Sequence, residues 1–230
     1  MPQAAVLLAL SALPPALLVG LGGASWGWML LRAGAWALAV VIKAVPGAAL
    51  WWAIERAGVS LRARSAAWGV WSAACELGVS AAVFLTATEF PSLLDMIGFG
   101  IGAGSFGALV VAGAAVASAR VESPEDSASD PASSDRFLAW SGVIERGLAS
   151  VGHVASRGLV WVGLQSWLLS PFALAACATF GVVDGVSTYG SEAGWDWHDR
   201  RRLKYLYSLV AKVTAVEVVL MAIALHLLQA

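Results

Sequence analysis

The stretch from Leu138 to Leu169 reads LAWSGVIERGLASVGHVASRGLVWVGLQSWLL and is apolar enough to cross a bilayer. It nevertheless carries four ionisable residues, which are Glu145, Arg146, His153 and Arg157. An ionisable side chain at membrane depth costs about 2.5 kcal/mol or more and usually faces protein groups or a water-filled cavity. We therefore interpret this stretch as the polar centre of a membrane-embedded helix bundle and as a candidate functional site.

The composition of the whole chain favours a membrane protein. Of its 230 residues, 59% are hydrophobic and only 13% are charged, whereas a soluble domain has about 25% charged residues. Long unbroken apolar runs recur along the chain, and most are close to the length of about 20 residues that a transmembrane helix needs. The predicted fold class is all-α, a polytopic transmembrane helix bundle, and residues 1–230 form a single membrane domain.

Charge and residue counts exclude several kinds of site. A net charge of −1 gives no indication of nucleic-acid binding. Cys75 and Cys177 both lie in apolar runs and are interpreted as buried thiols rather than a disulfide. With three histidines, of which only His153 lies at mid-depth, a site with two or three histidines is excluded, and no metal site and no cofactor are predicted. One histidine with carboxylates, such as His153 with Glu76 and Asp184, is the alternative that stays open. Abundant Ala and Gly favour a bacterial source, and hence the cytoplasmic (inner) membrane.

Seven spans are predicted from the apolar runs. They cover about 4–25, 33–54, 65–88, 92–119, 137–168, 171–190 and 205–228. The first is interpreted as a membrane helix rather than a cleaved signal peptide, because no basic residues precede its apolar run. Pro14 and Pro15 are expected to kink or break it.

The basic residues predict how the bundle is oriented. They are concentrated after spans two, four and six, at Arg56, Arg62, Arg64, Arg120, Arg136, Arg200, Arg201, Arg202 and Lys204, while the alternate connections contribute only Arg32. The positive-inside rule then places the N-terminus inside and the C-terminus outside. Residues 120–135 form an acidic linker between spans four and five, which is predicted to be cytoplasmic and disordered.

Eight charged residues fall within the predicted spans. They are Lys43, Arg146, Arg157 and Lys212 on the positive side, and Glu76, Glu145, Asp184 and Glu217 on the negative side. Four positive against four negative charges predict internal ion pairs, although the sequence does not assign the partners. Lys212 lies near enough to the inner end of its span to extend to the interface. A structural role is the default interpretation for each of the others.

Helical geometry groups the polar residues of the fifth span. At about 100° per residue, Arg146, Ser150, His153 and Arg157 form one polar stripe. Glu145 lies about 100° away from Arg146 and is expected to face a different neighbour. The stripe is expected to face Glu76 of span three and Asp184 of span six, which are the mid-depth carboxylates.

Glycines predict close helix packing in two spans. In the fifth span they are Gly142, Gly147, Gly152 and Gly158, and in the fourth they are Gly98, Gly100, Gly102, Gly104 and Gly107. Small residues let helix backbones approach closely inside a membrane. For the fourth span, a local unwinding that exposes backbone to a substrate or ion is the alternative.

The order of motifs from about Trp68 to Tyr189 resembles a known family. Glu76 stands alone in the third span, Glu145-Arg146 is followed by His153 in the fifth, and Asp184-Gly185 lies in the sixth. This order is similar to that of the YhfC-like branch of the glutamate-dependent intramembrane peptidases, which include the CAAX-processing enzymes. That branch has a Glu-Glu-x-x-x-Arg motif, a Gly-rich His-x-x-x-Glu motif, a Glu-Arg helix with a downstream His, and a helix carrying Asp. The resemblance implies Glu76, His153 and Asp184 as candidate catalytic residues.

The departures from this family fall on its catalytic positions. The first motif reads Cys75-Glu76-Leu77-Gly78-Val79-Ser80, with one Glu and no Arg. In the second motif, Ala103 and Gly107 stand where the family has His and Glu. The resemblance therefore implies a related fold in which the machinery that activates water is incomplete.

Three functions remain open from the sequence. The leading hypothesis is a degenerate, peptidase-like scaffold or accessory subunit that binds the lipid bilayer and a membrane-protein partner. The second is an active intramembrane hydrolase of divergent mechanism, in which Glu76 or His153 activates water and Arg146 stabilises negative charge. The third is a small transporter or proton-relay component that uses Glu76, His153 and Asp184. The polar core shared by all three hypotheses comprises Lys43, Glu145, Arg146, Ser150, Arg157 and Glu217.

Overall fold

The computed structural model of the chain describes residues 2–22, 25–121 and 136–229. These residues form helices joined by short connections, without a β-strand among them. The helices are α1 (Pro2–Gly22), α2 (Trp26–Arg56), α3 (Leu61–Thr86), α4 (Leu93–Val121), α5 (Arg136–Ala139), α6 (Ser141–Gln165), α7 (Ser170–Glu192) and α8 (Arg200–Gln229), with a 3₁₀ turn at Trp167–Leu169. The all-α fold class is confirmed for this part of the chain.

Six segments of the described residues are long and apolar enough to cross a membrane. They are Pro2–Gly20, Trp26–Arg56, Leu61–Thr86, Leu93–Gly113, Trp167–Glu192 and Arg200–Gln229. Helix α6 is not among them, because Glu145, Arg146 and Arg157 make it too polar for a span defined by composition. Its 25 residues still extend about 37 Å, which exceeds the hydrocarbon thickness of a bilayer.

The predicted fifth span, 137–168, is interrupted at both ends. A turn at Trp140 separates α5 from α6, and Ser166 adopts an extended conformation that ends α6 and begins the 3₁₀ turn. In contrast, α1 continues through Pro14 and Pro15, so the expected break does not occur there. Of the predicted linker 120–135, residues 120 and 121 end α4, and residues 122–135 lie outside the described part of the chain.

The connections between helices gather at two ends of the bundle. At one end, which we call the basic end, Arg62 at the start of α3 and Arg201 at the start of α8 border the same groove. The Phe137 ring of α5 lies 6.2 Å from the ring of Tyr207 near the start of α8. At the opposite end, Trp161 Nε1 near the end of α6 donates a hydrogen bond to the Pro91 carbonyl, at 2.9 Å. Helix α6 therefore extends from the basic end to the opposite end.

Helix α6 is the central helix of the bundle. It packs against α1, α3, α4, α7 and α8, and every residue from Ala155 to Gly163 is buried. Because neighbouring helices shield this segment, its polar side chains face protein rather than lipid. Burial by protein explains how the least apolar of the long helices occupies the middle of the fold.

The half of the bundle near the opposite end has an apolar core. Leu77, Phe84, Phe99, Leu159 and Val162 are each at most 1% exposed. The Phe84 and Phe99 rings lie 4.7 Å apart. Closely packed hydrophobic side chains therefore fill this half of the bundle.

Trp161 is 6% exposed and belongs to this apolar core. A tryptophan near the end of a transmembrane helix usually lies at the membrane interface, but Trp161 does not. The reason is that α6 is surrounded by other helices at this depth, so its terminal tryptophan contacts protein instead of the membrane interface.

Close helix packing through the glycines of α4 is confirmed. A Cβ atom on Gly100 would lie 2.6 Å from Val154 Cα, and one on Gly104 would lie 2.8 Å from Ser150 Cα. Since α4 is a continuous helix over this segment, the alternative of local unwinding is not observed. The glycines let the backbones of α4 and α6 touch.

Of the four α6 glycines that are predicted to permit close packing, only two lie at close contacts with another helix. A Cβ on Gly158 would collide with the side chain of Met221, and one on Gly152 would lie 3.2 Å from Thr214 Oγ1, so both permit close approach of α8. Gly147 has no neighbour within 4 Å, and Gly142 meets only Val111 at an ordinary 3.9 Å. The expectation of close approach is wrong for these two.

Candidate functional site

A cavity of about 240 Å³ lies beside α6 and is bordered by α2, α3, α7 and α8. It gathers the three residues predicted as catalytic and four of the six residues of the predicted polar core, namely Glu76, His153 and Asp184 with Lys43, Glu145, Arg146 and Glu217. Five helices supply these side chains, and the residues are distant in sequence. The expected proximity of the α6 polar residues to Glu76 and Asp184 is therefore observed.

Glu76 lies between two cations. Its Oε1 accepts a hydrogen bond from Lys43 Nζ at 3.0 Å, and its Oε2 accepts one from Arg157 Nη2 at 2.9 Å. Glu76 is 4% exposed and Arg157 is fully buried. The attraction between the Glu76 carboxylate and its two cations offsets much of the desolvation cost that each charge would have alone.

Asp184 extends this arrangement to α7. Its Oδ2 lies 3.6 Å from Lys43 Nζ and accepts a short hydrogen bond from Ser72 Oγ. Ser72 Oγ in turn accepts a hydrogen bond from Lys43 Nζ at 3.1 Å. We call Lys43, Ser72, Glu76, Arg157 and Asp184 the ion-pair network. It links α2, α3, α6 and α7 through two cations, two carboxylates and one hydroxyl.

Arg157 occupies the most enclosed position of the network. Its Nη1 donates to Ser156 Oγ at 2.8 Å, and its guanidinium lies 5.2 Å from the Phe180 ring centroid. Its Nε has no hydrogen-bond partner among the described residues. The side chain is therefore held by one carboxylate, one hydroxyl and one aromatic face, and lies outside the cavity wall.

Glu217 forms a separate polar contact between α7 and α8. Its Oε1 accepts a hydrogen bond from Thr179 Oγ1 at 2.6 Å, and Glu217 is 3% exposed. Lys212 lies on an exposed part of the same helix and does not share this contact. The bond to Thr179 places the carboxyl group of Glu217 at the cavity wall.

Glu145 and Arg146 pair with each other. Arg146 Nη2 donates a short hydrogen bond to Glu145 Oε1, and both residues border the cavity. The expectation that Glu145 faces a different neighbour is therefore wrong. Helical angles give the direction in which each side chain leaves the backbone, but two long side chains can bend toward one another from adjacent positions.

The residues of the predicted polar stripe of α6 contact several different neighbours. His153 borders the cavity, and its ring centroid lies 6.4 Å from that of Phe180. Ser150 is outside the cavity wall; its Oγ donates to the Arg146 carbonyl at 2.8 Å while it packs against Gly104. A stripe of about 60° is wide enough to meet more than one neighbouring helix.

Ser72 and Thr179 are site residues that the sequence analysis missed. Ser72 lies one helical turn before Glu76, so its position at i−4 on the same face was a usable signal. Thr179 has no comparable signal, because its partner Glu217 is on another helix. A threonine at an apolar position most often bonds to its own backbone, and Thr179 also does so with the Ala175 carbonyl at 2.9 Å.

Within the described ranges, no group of three His, Cys, Asp or Glu side chains is placed to hold a metal ion. Cys75 and Cys177 are free thiols. Two basic side chains, those of Lys43 and Arg157, each contact one of the Glu76 oxygens. Both positive charges would repel a divalent cation that approaches this carboxylate.

The architecture defines a class of protein. A bundle of long apolar helices around a buried polar centre is consistent with a multi-pass integral membrane protein. No protein-family model matches the chain, and no match was found among the curated proteins or the solved structures.

Proposed function

We propose that this chain is a non-catalytic scaffold or accessory subunit of a membrane complex, with a degenerate peptidase-like bundle, in the cytoplasmic membrane of a bacterium. The observation that carries the proposal is that both carboxylate oxygens of Glu76 are engaged by cations, one by Lys43 at 3.0 Å and the other by Arg157 at 2.9 Å. The strongest candidate for a general base is thereby committed to holding helices together.

The geometry around Glu76 argues against an active hydrolase. A general base must accept a proton from a water molecule that lies about 2.6–3.2 Å away, and the hydrogen bonds from Lys43 and Arg157 make the Glu76 carboxylate a weaker base. Ala103 is fully buried, and a Cβ on Gly107 would lie 3.1 Å from Arg146 Nη1. Thus neither of the two positions where the resembled family has His and Glu carries a side chain that could activate water.

The distribution of polar groups argues against a proton relay across the membrane. The cavity and the ion-pair network lie toward the basic end and the middle of the bundle. The remaining half contains the apolar core that includes Phe84, Phe99 and Leu159. A relay needs hydrogen-bonding groups or water across the full thickness, and this core offers few of them.

The proposal includes a seven-span topology with the N-terminus inside and the C-terminus outside. It is supported by the path of α6, which begins just after Phe137 of α5 near the basic end and reaches Trp161 near Pro91 at the opposite end. It is also supported by the basic residues of the α2–α3 and α7–α8 connections, which lie at the same end of the bundle. Arg157 is fully buried among the neighbouring helices, and Glu145 and Arg146 pair with each other toward the basic end, which lowers the cost of these charges in a crossing helix.

In vivo photo-cross-linking tests the scaffold proposal. A photo-reactive amino acid at Val45, which is 71% exposed on α2, samples the outer surface of the bundle. The matched control places it at Ala39, which is fully buried on the same helix. We expect one defined membrane-protein adduct from Val45 in native membranes and none from Ala39, and the same adduct in a His153→Ala variant.

Two results would contradict the proposal. One is the absence of any protein adduct from Val45 and from further exposed positions such as Leu38 and Val41. The other is hydrolysis of a membrane peptide by the purified protein that is lost in folded Glu76→Gln and His153→Ala variants. The second result would establish the hydrolase hypothesis instead.

A further inference from the structure

A second, larger concavity lies on the outer surface of the bundle, away from the ion-pair network. It is an open groove of about 760 Å³ that begins between α3 and α7 and ends at the start of α8. We call it the α3–α7 groove. The residues that carry the argument are Arg62, Ser65, Ala66, Val70, Arg201 and Arg202.

One part of the groove is apolar and lies on the exposed surface of the bundle. Val70 is 69% exposed and Val182 is 50% exposed, and both border it. Few large side chains line the floor of the groove, because α3 and α7 cross at glycines. A Cβ on Gly69 would collide with the Gly181 carbonyl and would lie 2.9 Å from Gly185 N. Beside this crossing, the groove is lined by the small residues Ala66, Ala178 and Gly181.

The other part of the groove is a basic mouth at the basic end. Arg62 comes from the start of α3, and Arg201 and Arg202 come from the first turn of α8. None of these three is ion-paired with a carboxylate in the part of the chain that the structure describes. Arg202 is stacked with its guanidinium 4.8 Å from the Trp195 ring centroid, which orders it for binding.

Ser65 marks the boundary between the apolar and the basic parts. It is 2% exposed, it borders the groove, and its Oγ has no hydrogen-bond partner among the described residues. A buried hydroxyl without a partner costs about 1–3 kcal/mol. It lies one helical turn from Arg62, at the depth where the ester carbonyl of a lipid would lie if its phosphate contacted the arginines.

We propose that the α3–α7 groove is a specific binding site for one anionic glycerophospholipid. The phosphate contacts Arg62, Arg201 and Arg202, an ester carbonyl accepts a hydrogen bond from Ser65, and an acyl chain lies along Ala66, Val70 and Val182. Guanidinium groups bind phosphate oxygens through paired hydrogen bonds, which makes them the preferred phosphate ligands. The charge of the mouth and the apolar length of the groove together fit this occupant.

Native mass spectrometry with phosphatidylglycerol tests the site. The detergent-purified protein is titrated with phosphatidylglycerol, with phosphatidylcholine and with inorganic phosphate as separate probes. We expect one phosphatidylglycerol to bind per chain. In an Arg201→Gln/Arg202→Gln double variant, the affinity for phosphatidylglycerol is expected to fall roughly tenfold or more. Ser65→Ala is expected to weaken lipid retention without lowering the melting temperature of the lipid-free protein, because the hydroxyl has no partner to lose.

Matched variants separate the groove from general charge attraction. Ala66→Trp and Val70→Trp fill the apolar part without changing charge, and Ala74→Trp on the same helix lies outside the groove. Arg56→Gln removes one positive charge at the basic end, also outside the groove. Loss of binding in either filled variant with unchanged melting temperature, and retention in both controls, supports the site.

Several outcomes would overturn the site. Binding that survives both filled variants would show that the lipid is attracted to the charged surface and does not bind in the groove. Equal retention of phosphatidylcholine would show a non-specific annular lipid, and equally tight binding of inorganic phosphate would show a free-anion site. A protein adduct from a photo-reactive residue at Val182 would show that a polypeptide covers the groove instead.

Discussion

At the scale of single residues, Glu76 has the greatest consequence for the molecule. It is the only carboxylate in the described chain that forms ion pairs with two buried or half-buried cations, Lys43 and Arg157. Removal of one partner from a buried ion pair leaves an uncompensated charge, which costs far more than the pair gains. The network is therefore expected to be sensitive to single changes.

We expect Glu76→Gln to destabilise the protein strongly. The change leaves Arg157 buried without its bonded carboxylate, and the expected loss in unfolding free energy is about 3–5 kcal/mol. Glu55→Gln is the control, because Glu55 is 57% exposed and pairs with Arg64 near the surface, where a pair contributes about 0–1 kcal/mol. Equilibrium unfolding in mixed micelles measures both. Equal losses in the two variants would refute the structural importance of the network.

The contact between Thr179 and Glu217 gives a second prediction. Thr179→Val keeps the shape but removes the hydroxyl that donates to Glu217 at 2.6 Å. We expect a loss of about 1–3 kcal/mol, since the buried carboxyl loses this donor. Thr86→Val is the control, because the exposed Thr86 hydroxyl bonds only to the Ala82 carbonyl of its own helix. A loss no greater than that of the control in the same unfolding assay would contradict this prediction.

At the scale of helices, backbone contacts at glycines decide how the elements pack. Gly69 of α3 meets Gly181 and Gly185 of α7, and Gly100 and Gly104 of α4 meet the backbone of α6. These crossings bring polar residues of different helices close enough to bond. Inside a membrane the hydrophobic effect provides little driving force for helix association, because lipid tails are as apolar as the helix surfaces. Van der Waals contact at small residues therefore contributes a large share of that association.

We expect Gly69→Ala to disrupt the α3–α7 contact. A methyl group there would collide with the Gly181 carbonyl oxygen and backbone of α7, neither of which can turn away. Gly78→Ala on the same helix is the control, because its added methyl would meet nothing within 4 Å. It is expected to be neutral or to stabilise by up to about 1 kcal/mol through helix propensity.

Monodispersity on size exclusion and the unfolding midpoint report on both glycine variants. A Gly69→Ala protein with a wild-type midpoint would mean that the two helices do not cross so closely. A strong loss in Gly78→Ala would also contradict the structure, since it would require a neighbour at that position.

Helix existence could be predicted from the sequence, but helix ends could not. The apolar runs predict α1, α2, α3, α4, α7 and α8, but α2 begins at Trp26 and not at 33, and α8 begins at Arg200 and not at 205. The fifth predicted span has wrong ends because Trp140 and Ser166 lie within an apolar run that hydropathy reads as continuous. Turn geometry at these two positions is set by local hydrogen bonding, which hydropathy does not record.

At the scale of the whole molecule, the topology depends on whether α6 crosses the membrane. Seven crossings place the termini on opposite sides, whereas six place them on the same side. The path of α6 between Phe137 and Trp161 and its enclosure by five helices favour seven. Reporter fusions distinguish the two arrangements directly.

We expect a fusion after Gln229 to show an active external phosphatase, and a fluorescent-protein insertion within residues 122–135 to be fluorescent in the cytoplasm. The physical reason is the excess of arginine at the basic end, which the positive-inside rule keeps in the cytoplasm. An insertion at Phe90 in the α3–α4 connection is the matched control and should be external. Cytoplasmic location of both the C-terminus and residues 122–135 would show that α6, α7 and α8 do not make three crossings.

The amino-acid sequence by itself determined the class of the protein, the helical content, the identity of the buried charges and the glycines of α4, because hydropathy and helical periodicity are local properties. Only the tertiary structure decided which charges pair. Glu145 bonds to Arg146, while Glu76 bonds to Lys43 and Arg157. Pairing depends on how each helix is rotated and at what depth it crosses its neighbours. Those quantities are fixed by contacts between distant segments, such as the Gly69–Gly181 crossing, that no single segment encodes.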